Sequence, residues 1–195
     1  MFINTHLLIG KSLYENIDNN KSFFINEKDF IYGNIKPDIP SKYFLEKHYL
    51  DESLDMIINK IEYLCTLDLD YIFKYVSTNI FNQELGVICH FLCDFFCVPH
   101  SRRWKMSHSM NKHVTYEKEL ALVAKESNLT KFKGDIIKYN NFREFFNSLY
   151  LEYSTKIEYE NDLFFSNYIC NSVINYILDS ILENTNKSKN FIICG

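Results

Sequence analysis

One segment, at about 82–98, is hydrophobic at nearly every position and constrains the fold more than any other part of the chain. Its polar exceptions are Gln83, Glu84, His90 and Asp94. A helix that is hydrophobic on every side is a buried helix. An ionised carboxylate on such a helix is costly unless it is paired or binds a metal ion. The segment therefore predicts a central helix on which His90 and Asp94 have a specific partner.

The rest of the chain predicts an all-α fold. Gly (5) and Pro (3) are scarce among 195 residues, which disfavours turn-rich β folds. Apolar periodicity predicts further helices over about 5–17, from Ser41 toward Cys65, and around 69–79, 109–127, 141–155 and 162–185. Residues 18–40 are polar and contain Gly and Pro, so we predict a loop there. Together these elements predict a single-domain helical bundle over residues 1–195.

Pro99 is expected to end the central helix and to leave His100 at its exit, because proline cannot continue a helix.

The cysteines have a simple interpretation. Cys89, Cys93 and Cys97 recur every four residues, so they lie along one helix face and cannot easily bridge one another. We expect buried thiols in a reducing compartment. Since no C-x-x-C spacing occurs, a cysteine-held zinc ion is disfavoured.

Charge and hydropathy narrow the classes of partner. The net charge is −4 and there is no long basic run, so the broad electrostatic footprint of a nucleic-acid-binding protein is missing. No apolar run approaches the roughly 20 residues that cross a bilayer. The first residues lack the basic and apolar parts of a secretory leader. We therefore expect a cytoplasmic protein, or a secreted one only if a leader was removed.

Two pairs of a histidine and a carboxylate carry the functional prediction. His90 and Asp94 are four residues apart, as are His113 and Glu117, and this spacing places each pair on one helix face. Imidazole and carboxylate are typical ligands of catalytic zinc, whereas structural zinc is usually held by cysteines. Alone, the first pair could be a buried hydrogen bond and the second a solvated ion pair. With His100 between them, the two pairs predict a metal centre.

This pattern resembles that of the zinc-dependent phospholipase C family, whose all-α fold is shared with the secreted single-strand nucleases. The family pattern H-x3-D-x5-H, followed by H-x3-E, is met by His90, Asp94, His100, His113 and Glu117. The family also has an early histidine and, before the first motif, an aspartate and a second histidine. The matching residues are His6, Asp38 and His48. The resemblance covers residues 6–117, and the later helices match by class alone.

The resemblance implies a centre of two or three zinc ions. One ion would be held by Asp38, His48, His90 and Asp94. A second would be held by His100, His113 and Glu117. A third would be held by His6 and by Asp94, which would then bridge two ions.

Some features depart from the family or leave alternatives open. The family completes its third site with the amine and carbonyl of an N-terminal tryptophan, whereas the only tryptophan here is Trp104. His48 could instead be a surface histidine beside Asp51 and Glu52. Sites made of histidine and carboxylate also accept manganese or iron.

The resemblance also implies a function, namely phosphodiester hydrolysis in which metal-activated water attacks phosphorus. Asp38 would serve both as a ligand and as the catalytic base. The expected partner is a phospholipid or another phosphodiester, with transient contact to a membrane surface and no stable nucleic-acid partner. No particular oligomeric state is predicted.

Two alternatives to a phospholipase C-like hydrolase stay open. One is a nuclease acting on single strands, because aromatic side chains can stack on bases. The candidate stacking residues are Tyr43, Tyr49, Phe91, Trp104 and Tyr116. The other alternative is a zinc-binding module without turnover. For the aromatic residues, packing in the core is the simpler interpretation.

Overall fold

A computed structural model describes residues 1–104, 106–137 and 141–193 of the chain. These residues form nine α-helices and no strand, which confirms the all-α prediction. The helices are α1 (Ile3–Glu15), α2 (Glu27–Gly33), α3 (Leu50–Cys65), α4 (Leu69–Tyr71), α5 (Thr78–Phe95), α6 (Val98–Ser101), α7 (Met106–Glu126), α8 (Phe142–Tyr153) and α9 (Tyr159–Ile193). That residues 1–195 form one domain stays a prediction.

Helix α5 is the centre of the structure. Every residue from Leu85 to Pro99 is buried, as the apolar run predicts. The helix packs against α1, α2, α3 and α9, so it is covered on several sides. Cys89, Cys93 and Cys97 are free and buried, and the Sγ atom of Cys93 lies 3.7 Å from that of Cys170. Cys194 lies outside the described residues.

Helices α2 and α5 approach each other through two glycines. A Cβ atom on Gly33 would lie 2.3 Å from a backbone carbonyl of α5, and one on Gly86 would lie 2.2 Å from a carbonyl of α2. The two backbones therefore touch at a distance that only glycine permits. This contact brings the carbonyl of Asn34 to 2.8 Å from Nδ1 of His90, one turn further along α5.

The prediction of a loop over residues 18–40 was wrong in part, because α2 lies within it. The side chain of Asn26 accepts a hydrogen bond from the amide of Asp29 and caps the helix. The helix predicted from Ser41 begins only at Leu50. The hydroxyl of Ser41 instead donates to the carbonyl of Lys36, a local bond that competes with helix formation.

The role predicted for Pro99 was also wrong. Helix α5 ends at Phe95, before the proline, and Pro99 lies in the first turn of α6. Proline is accepted there because the first amides of a helix have no partner within the helix. His100 therefore lies on a separate short helix. The segment predicted as a helix around 69–79 divides into α4 and a π-helical turn at Ile72–Val76.

The remaining helices, predicted around 109–127, 141–155 and 162–185, correspond to α7, α8 and α9 with shifted ends. Short 3-10 turns lie at Ser22–Phe24, Lys36–Asp38 and Leu129–Lys131. Within the described ranges, no helix has the length and apolar character needed to cross a membrane.

Candidate metal centre

The eight side chains predicted as ligands come from six segments of the chain and converge in one cluster. Helices α1, α5, α6 and α7 supply His6, His90, Asp94, His100, His113 and Glu117. The 3-10 turn at Lys36–Asp38 supplies Asp38, and His48 lies in the segment that precedes α3. Contacts of 2.7–3.8 Å between nitrogen and oxygen atoms link all eight side chains.

Asp94 lies at the centre of this cluster. Its Oδ2 atom is 2.7 Å from Nδ1 of His48 and 3.4 Å from Nε2 of His90. Its Oδ1 atom is 3.3 Å from Nε2 of His6 and 3.8 Å from Nε2 of His100. The two carboxylate oxygens therefore face different pairs of histidines. This is the arrangement that a ligand bridging two ions requires.

Asp38 lies at the edge of the cluster. Its Oδ1 atom is 3.7 Å from Nδ1 of His48 and 3.7 Å from Nε2 of His90. Its side chain is 21% exposed, while that of Asp94 is fully buried. A cavity of about 460 Å³ lies beside Asp38 and is lined also by residues 1–4. Asp38 is therefore the most exposed carboxylate of the cluster, and it lines this cavity.

A second compact group forms around Glu117. Its Oε1 atom lies 3.0 Å from Nε2 of His100 and 3.0 Å from Nε2 of His113. Glu117 and His113 are buried, and His100 is partly exposed. The spacing of four residues between His113 and Glu117 therefore corresponds to an inward-facing pair and not to a solvated one.

The α-amino group of Met1 lies between these two groups. It donates a hydrogen bond to Asp94 and is 3.2 Å from Oε1 of Glu117 and 3.1 Å from Nε2 of His100. The resemblance implied an N-terminal tryptophan at the third site. In this chain the amine of Met1 contacts Asp94, the residue expected to bridge.

Backbone carbonyls orient two of the imidazoles. The Nδ1 atom of His90 donates to the carbonyl of Asn34 at 2.8 Å, and that of His113 donates to the carbonyl of Trp104 at 3.3 Å. In each ring the Nε2 atom is thereby left to face the cluster. Metal-binding histidines commonly have such a support on the other nitrogen. Sequence reasoning missed both supports, because any residue can supply a backbone carbonyl.

Two observations test whether these residues fit zinc. Among the described residues, Nδ1 of His6 and Nδ1 of His100 are buried without a hydrogen-bond partner, and Nε2 of His6 has only its 3.3 Å contact with Oδ1 of Asp94. A buried polar atom without a partner is unfavourable and requires an explanation. A metal ion would supply a partner for His6. The donors are also imidazoles and carboxylates, as in catalytic zinc sites.

The donor atoms form three groups that could each hold an ion, with all ligand atoms of a group within 4.8 Å of one another. The groups are His6, Asp38 and His90; His48, His90 and Asp94; and His100, His113 and Glu117. The last group is the second site that the resemblance implies. The first group differs from the implied third site, because it joins His6 to Asp38 and His90. The donor set therefore fits a multinuclear metal centre.

Electrostatics favour the metal-binding protonation states of Asp94, Glu117, His6 and His100. Burial would raise the pKa of Asp94, but the charges of His100, the α-amino group and His6 hold it well below its usual range. The pKa of Glu117 is also lowered, against burial, by the amine and by hydrogen bonds from His100 and His113. Burial lowers the pKa of His6 and of His100. Ionised carboxylates and neutral imidazoles are the forms that coordinate cations. At three other sites the shifts run the opposite way: against burial, hydrogen bonds to Asp94 and Glu117 raise the pKa of His48 and His113, and burial raises the pKa of Asp38.

A tyrosine supports the segment that carries His48. Tyr43 is buried, and its hydroxyl contacts Glu84 of α5 and lies 2.8 Å from Nζ of Lys60 of α3. Glu84 stood out in the sequence as a polar exception on the apolar helix. No local pattern linked it to Tyr43, because the two residues are far apart in the chain.

A buried aspartate supports the segment that carries His100. The carboxylate of Asp162 on α9 accepts hydrogen bonds from the amide of Val98 at 3.0 Å and from the hydroxyls of Tyr116 and Tyr153 at 3.1 and 2.9 Å. The Val98 amide begins α6, two residues before His100. Sequence reasoning missed this support, because an acidic residue in the first turn of a helix is common.

The aromatic residues considered for base stacking are mostly inaccessible. Tyr43, Phe91 and Tyr116 are buried, so their ring faces cannot receive a base. Tyr49 and Trp104 are partly exposed. Core packing, the simpler interpretation, therefore accounts for three of the five aromatic residues considered for base stacking.

Comparison with known proteins identifies the family. The family model described as zinc dependent phospholipase C matches residues 5–160, which include all eight predicted ligands and extend past residue 117. No curated protein and no solved structure matches the chain. Since the matched range spans most of the sequence, the chain belongs to the zinc-dependent phospholipase C family.

Proposed function

We propose that this chain hydrolyses phospholipids at the bond between phosphorus and the diacylglycerol oxygen, with zinc as cofactor. The products would be diacylglycerol and a phosphorylated head group. The observation that carries the proposal is the convergence of five imidazoles and three carboxylates from six segments on one cluster beside a cavity. The family match gives that cluster its reaction class.

The chain's own residues would hold two or three ions. His48, His90 and Asp94 would hold one together with Asp38, and His100, His113 and Glu117 would hold another. His6 and Asp94, with the amine of Met1 beside them, would hold a third. Bound there, zinc would lower the pKa of water, polarise the phosphoryl oxygens and stabilise the leaving oxygen.

Asp38 is the residue placed to accept a proton. A general base must be within hydrogen-bonding reach of the water that it activates. Asp38 lines the cavity and is partly exposed, whereas Asp94 is fully buried and contacts His48 and the Met1 amine. We therefore assign proton acceptance to Asp38 and metal binding to Asp94.

Charge pairing around the segment that carries His48 supports a phospholipid and not a nucleic acid. The carboxylates of Asp51 and Glu52 accept hydrogen bonds from the guanidinium of Arg103. Lys47 lies 2.7 Å from Glu52. These cations are thus already paired, and the chain as a whole carries a charge of −4. A polyanion gains much of its affinity from unpaired cations along its path.

The test is an assay of zinc-loaded protein on monomeric short-chain phosphatidylcholine and on single-stranded DNA, with metal analysis of the same sample. We expect cleavage of the lipid, no cleavage of DNA, and two or three zinc ions per chain. Cleavage of DNA alone would favour a nuclease. Full metal occupancy with neither substrate cleaved would favour a non-catalytic zinc-binding module. A preparation that binds no zinc would contradict the proposal outright.

A further inference from the structure

The segment between two of the proposed ligands carries an exposed apolar pair. We call residues 39–49 the 39–49 loop, which connects Asp38 to α3 and includes His48. Within it, Phe44 is 53% exposed and Leu45 is 90% exposed. Leu45 is the most exposed large hydrophobic side chain in the described part of the protein. Single exposed apolar residues are ordinary, but two adjacent ones beside a site call for a partner.

Tyr43 and Ser41 anchor the 39–49 loop to the rest of the protein. Tyr43, directly before the pair, is buried and contacts both Glu84 and Lys60. The hydroxyl of Ser41 donates to the carbonyl of Lys36 at 2.7 Å. Because Tyr43 fixes one side of the loop to α3 and α5, Phe44 and Leu45 project from an anchored backbone. A surface that is already ordered loses little conformational freedom when it docks.

The lysines of the loop are already neutralised. Lys42 lies 3.0 Å from Glu84, and Lys47 lies 2.7 Å from Glu52. Recognition of an anionic membrane depends on unpaired basic residues near the surface. The apolar pair therefore has a paired lysine on either side and Glu46 directly after it. This matches a zwitterionic lipid surface better than an anionic one.

The apolar pair lies on the same loop as the proposed ligand His48. Leu45 precedes His48 by three residues, and the cavity beside Asp38 is lined by Ile3, which is 38% exposed. Apolar surface is thus available near Asp38 and near His48. A lipid surface resting on the loop would lie close to His48, whose side chain is 16% exposed.

From these observations we propose that Phe44 and Leu45 insert into a zwitterionic phospholipid surface and bring the loop that carries His48 against it. The choice of a lipid surface over a protein rests on the proposed function, whose substrate is a component of that surface. The contact is shallow and apolar. Its strength should therefore be nearly independent of salt and of anionic lipid.

The first test measures partition of the zinc-loaded protein onto phosphatidylcholine vesicles by sedimentation. The double variant Phe44→Ser/Leu45→Ser should partition about 100-fold more weakly, at roughly tenfold per apolar side chain. The matched control is Phe73→Ser/Tyr75→Ser, whose side chains are 55% and 64% exposed. These residues precede α5, and the start of α5 is roughly 18 Å along its axis from His90. The control should partition as the unaltered protein does.

A second variant tests insertion directly. In Leu45→Trp, the added indole fluorescence, after subtraction of the Trp104 signal of the unaltered protein, should be quenched by vesicles that contain brominated phosphatidylcholine. Absence of quenching with vesicles bound would overturn the proposal. Equal partition of the Phe44/Leu45 variant and the unaltered protein would also overturn it. So would binding that requires anionic lipid.

Hydrolysis of monomeric short-chain phosphatidylcholine separates this inference from the proposed function. The Phe44→Ser/Leu45→Ser variant should keep this activity, since neither side chain belongs to the metal centre. If the unaltered protein cleaves the monomer but the substitutions leave vesicle binding intact, the docking proposal fails and the proposed function stands. If vesicle binding depends on Phe44 and Leu45 but no lipid is cleaved, docking stands and the proposed function fails.

Discussion

The ligands carried by long helices differ from those carried by short segments. His6, His90 and Asp94, on α1 and α5, are fully buried, and His113 and Glu117 on α7 are nearly so. Asp38, His48 and His100 lie on a 3-10 turn, a loop and a one-turn helix, and all three are partly exposed. The long helices therefore form the closed side of the centre. The short segments form its more exposed side, where we propose that a substrate binds.

The short segments depend on side chains from the long helices. Glu84 of α5 and Lys60 of α3 contact Tyr43, whose loop carries His48. Asp162 of α9 accepts a hydrogen bond from the Val98 amide, whose helix carries His100. A site is precise only when the residues around its ligands are fixed in turn. The comparison thus predicts that the buried ligand Asp94 contributes most to metal binding and that Asp38, on a short segment, contributes most to turnover.

The largest effect is expected for Asp94→Asn. The amide keeps one oxygen but loses the charge that contacts His48 and the Met1 amine. We expect loss of bound zinc together with a loss of activity that exceeds the roughly 10–100-fold typical of outer partners. Elemental analysis measures the bound zinc, and lipid hydrolysis measures the activity. Asp55→Asn, at a side chain 81% exposed, is the control. Retained zinc and turnover would disprove the bridging role.

Asp38→Asn should separate metal binding from turnover. Because Asp38 lines the cavity and is proposed as the proton acceptor, its loss should lower turnover by about 10²–10⁴-fold. Most of the zinc should remain, because His48, His90 and Asp94 are intact. Elemental analysis and lipid hydrolysis again measure zinc content and turnover. A loss of zinc as complete as in Asp94→Asn would break the distinction between helix-borne and segment-borne ligands.

The support from Asp162 should appear in the pH dependence of stability. Burial raises the pKa of Asp162 to about 7, although three hydrogen bonds oppose this. A carboxyl group with a higher pKa when folded binds its proton more tightly in the folded state, so its stabilising contribution is largest below about pH 4. That contribution is lost as the pH rises through about 7.

Urea unfolding from pH 4 to pH 8 compares the unaltered protein with Asp162→Asn. Their difference in unfolding free energy should fall by a few kcal/mol, at most about 4 kcal/mol, as the pH rises from 4 to 7. Both proteins carry the same metal ligands, so the difference isolates Asp162. A difference in unfolding free energy that stays constant from pH 4 to pH 8 would show that this carboxyl group does not titrate in the folded protein.

The smallest effect is expected for Tyr43→Phe. The change removes one hydroxyl from Glu84 and Lys60, which remain paired at 2.5 Å. A hydrogen bond of this kind contributes about 1 kcal/mol. Zinc affinity should fall by about fivefold, through the loop that carries His48. In the control, Tyr75→Phe, the affinity should not change. An equal loss in both variants would show that the loop needs no such anchor.

The same contrast explains what the sequence could predict. His90, Asp94, His113 and Glu117 follow from a spacing of four residues, because helical periodicity is local. The burial of His90 and Asp94 follows from the apolar run of α5. Asp38 and His48 were identified only by resemblance, since no local rule places them together.

Local side-chain bonds explain the errors in the helix bounds, and long-range contacts explain the missed supports. Ser41 has the character of a helix cap, but its hydroxyl bonds to Lys36 and the helix begins nine residues later. The polar segment around Asn26 contains α2, since the asparagine is a cap there. The supports from Tyr43 and Asp162 join residues that are more than 40 positions apart. Neither propensity nor periodicity describes such pairs.

The most direct test of the metal centre is anomalous X-ray scattering at the zinc edge from crystals of the zinc-loaded protein. We predict one peak within bonding distance of His90 and Asp94 and another within bonding distance of His100, His113 and Glu117. Zinc peaks confined to other parts of the surface, with none among these side chains, would contradict the account.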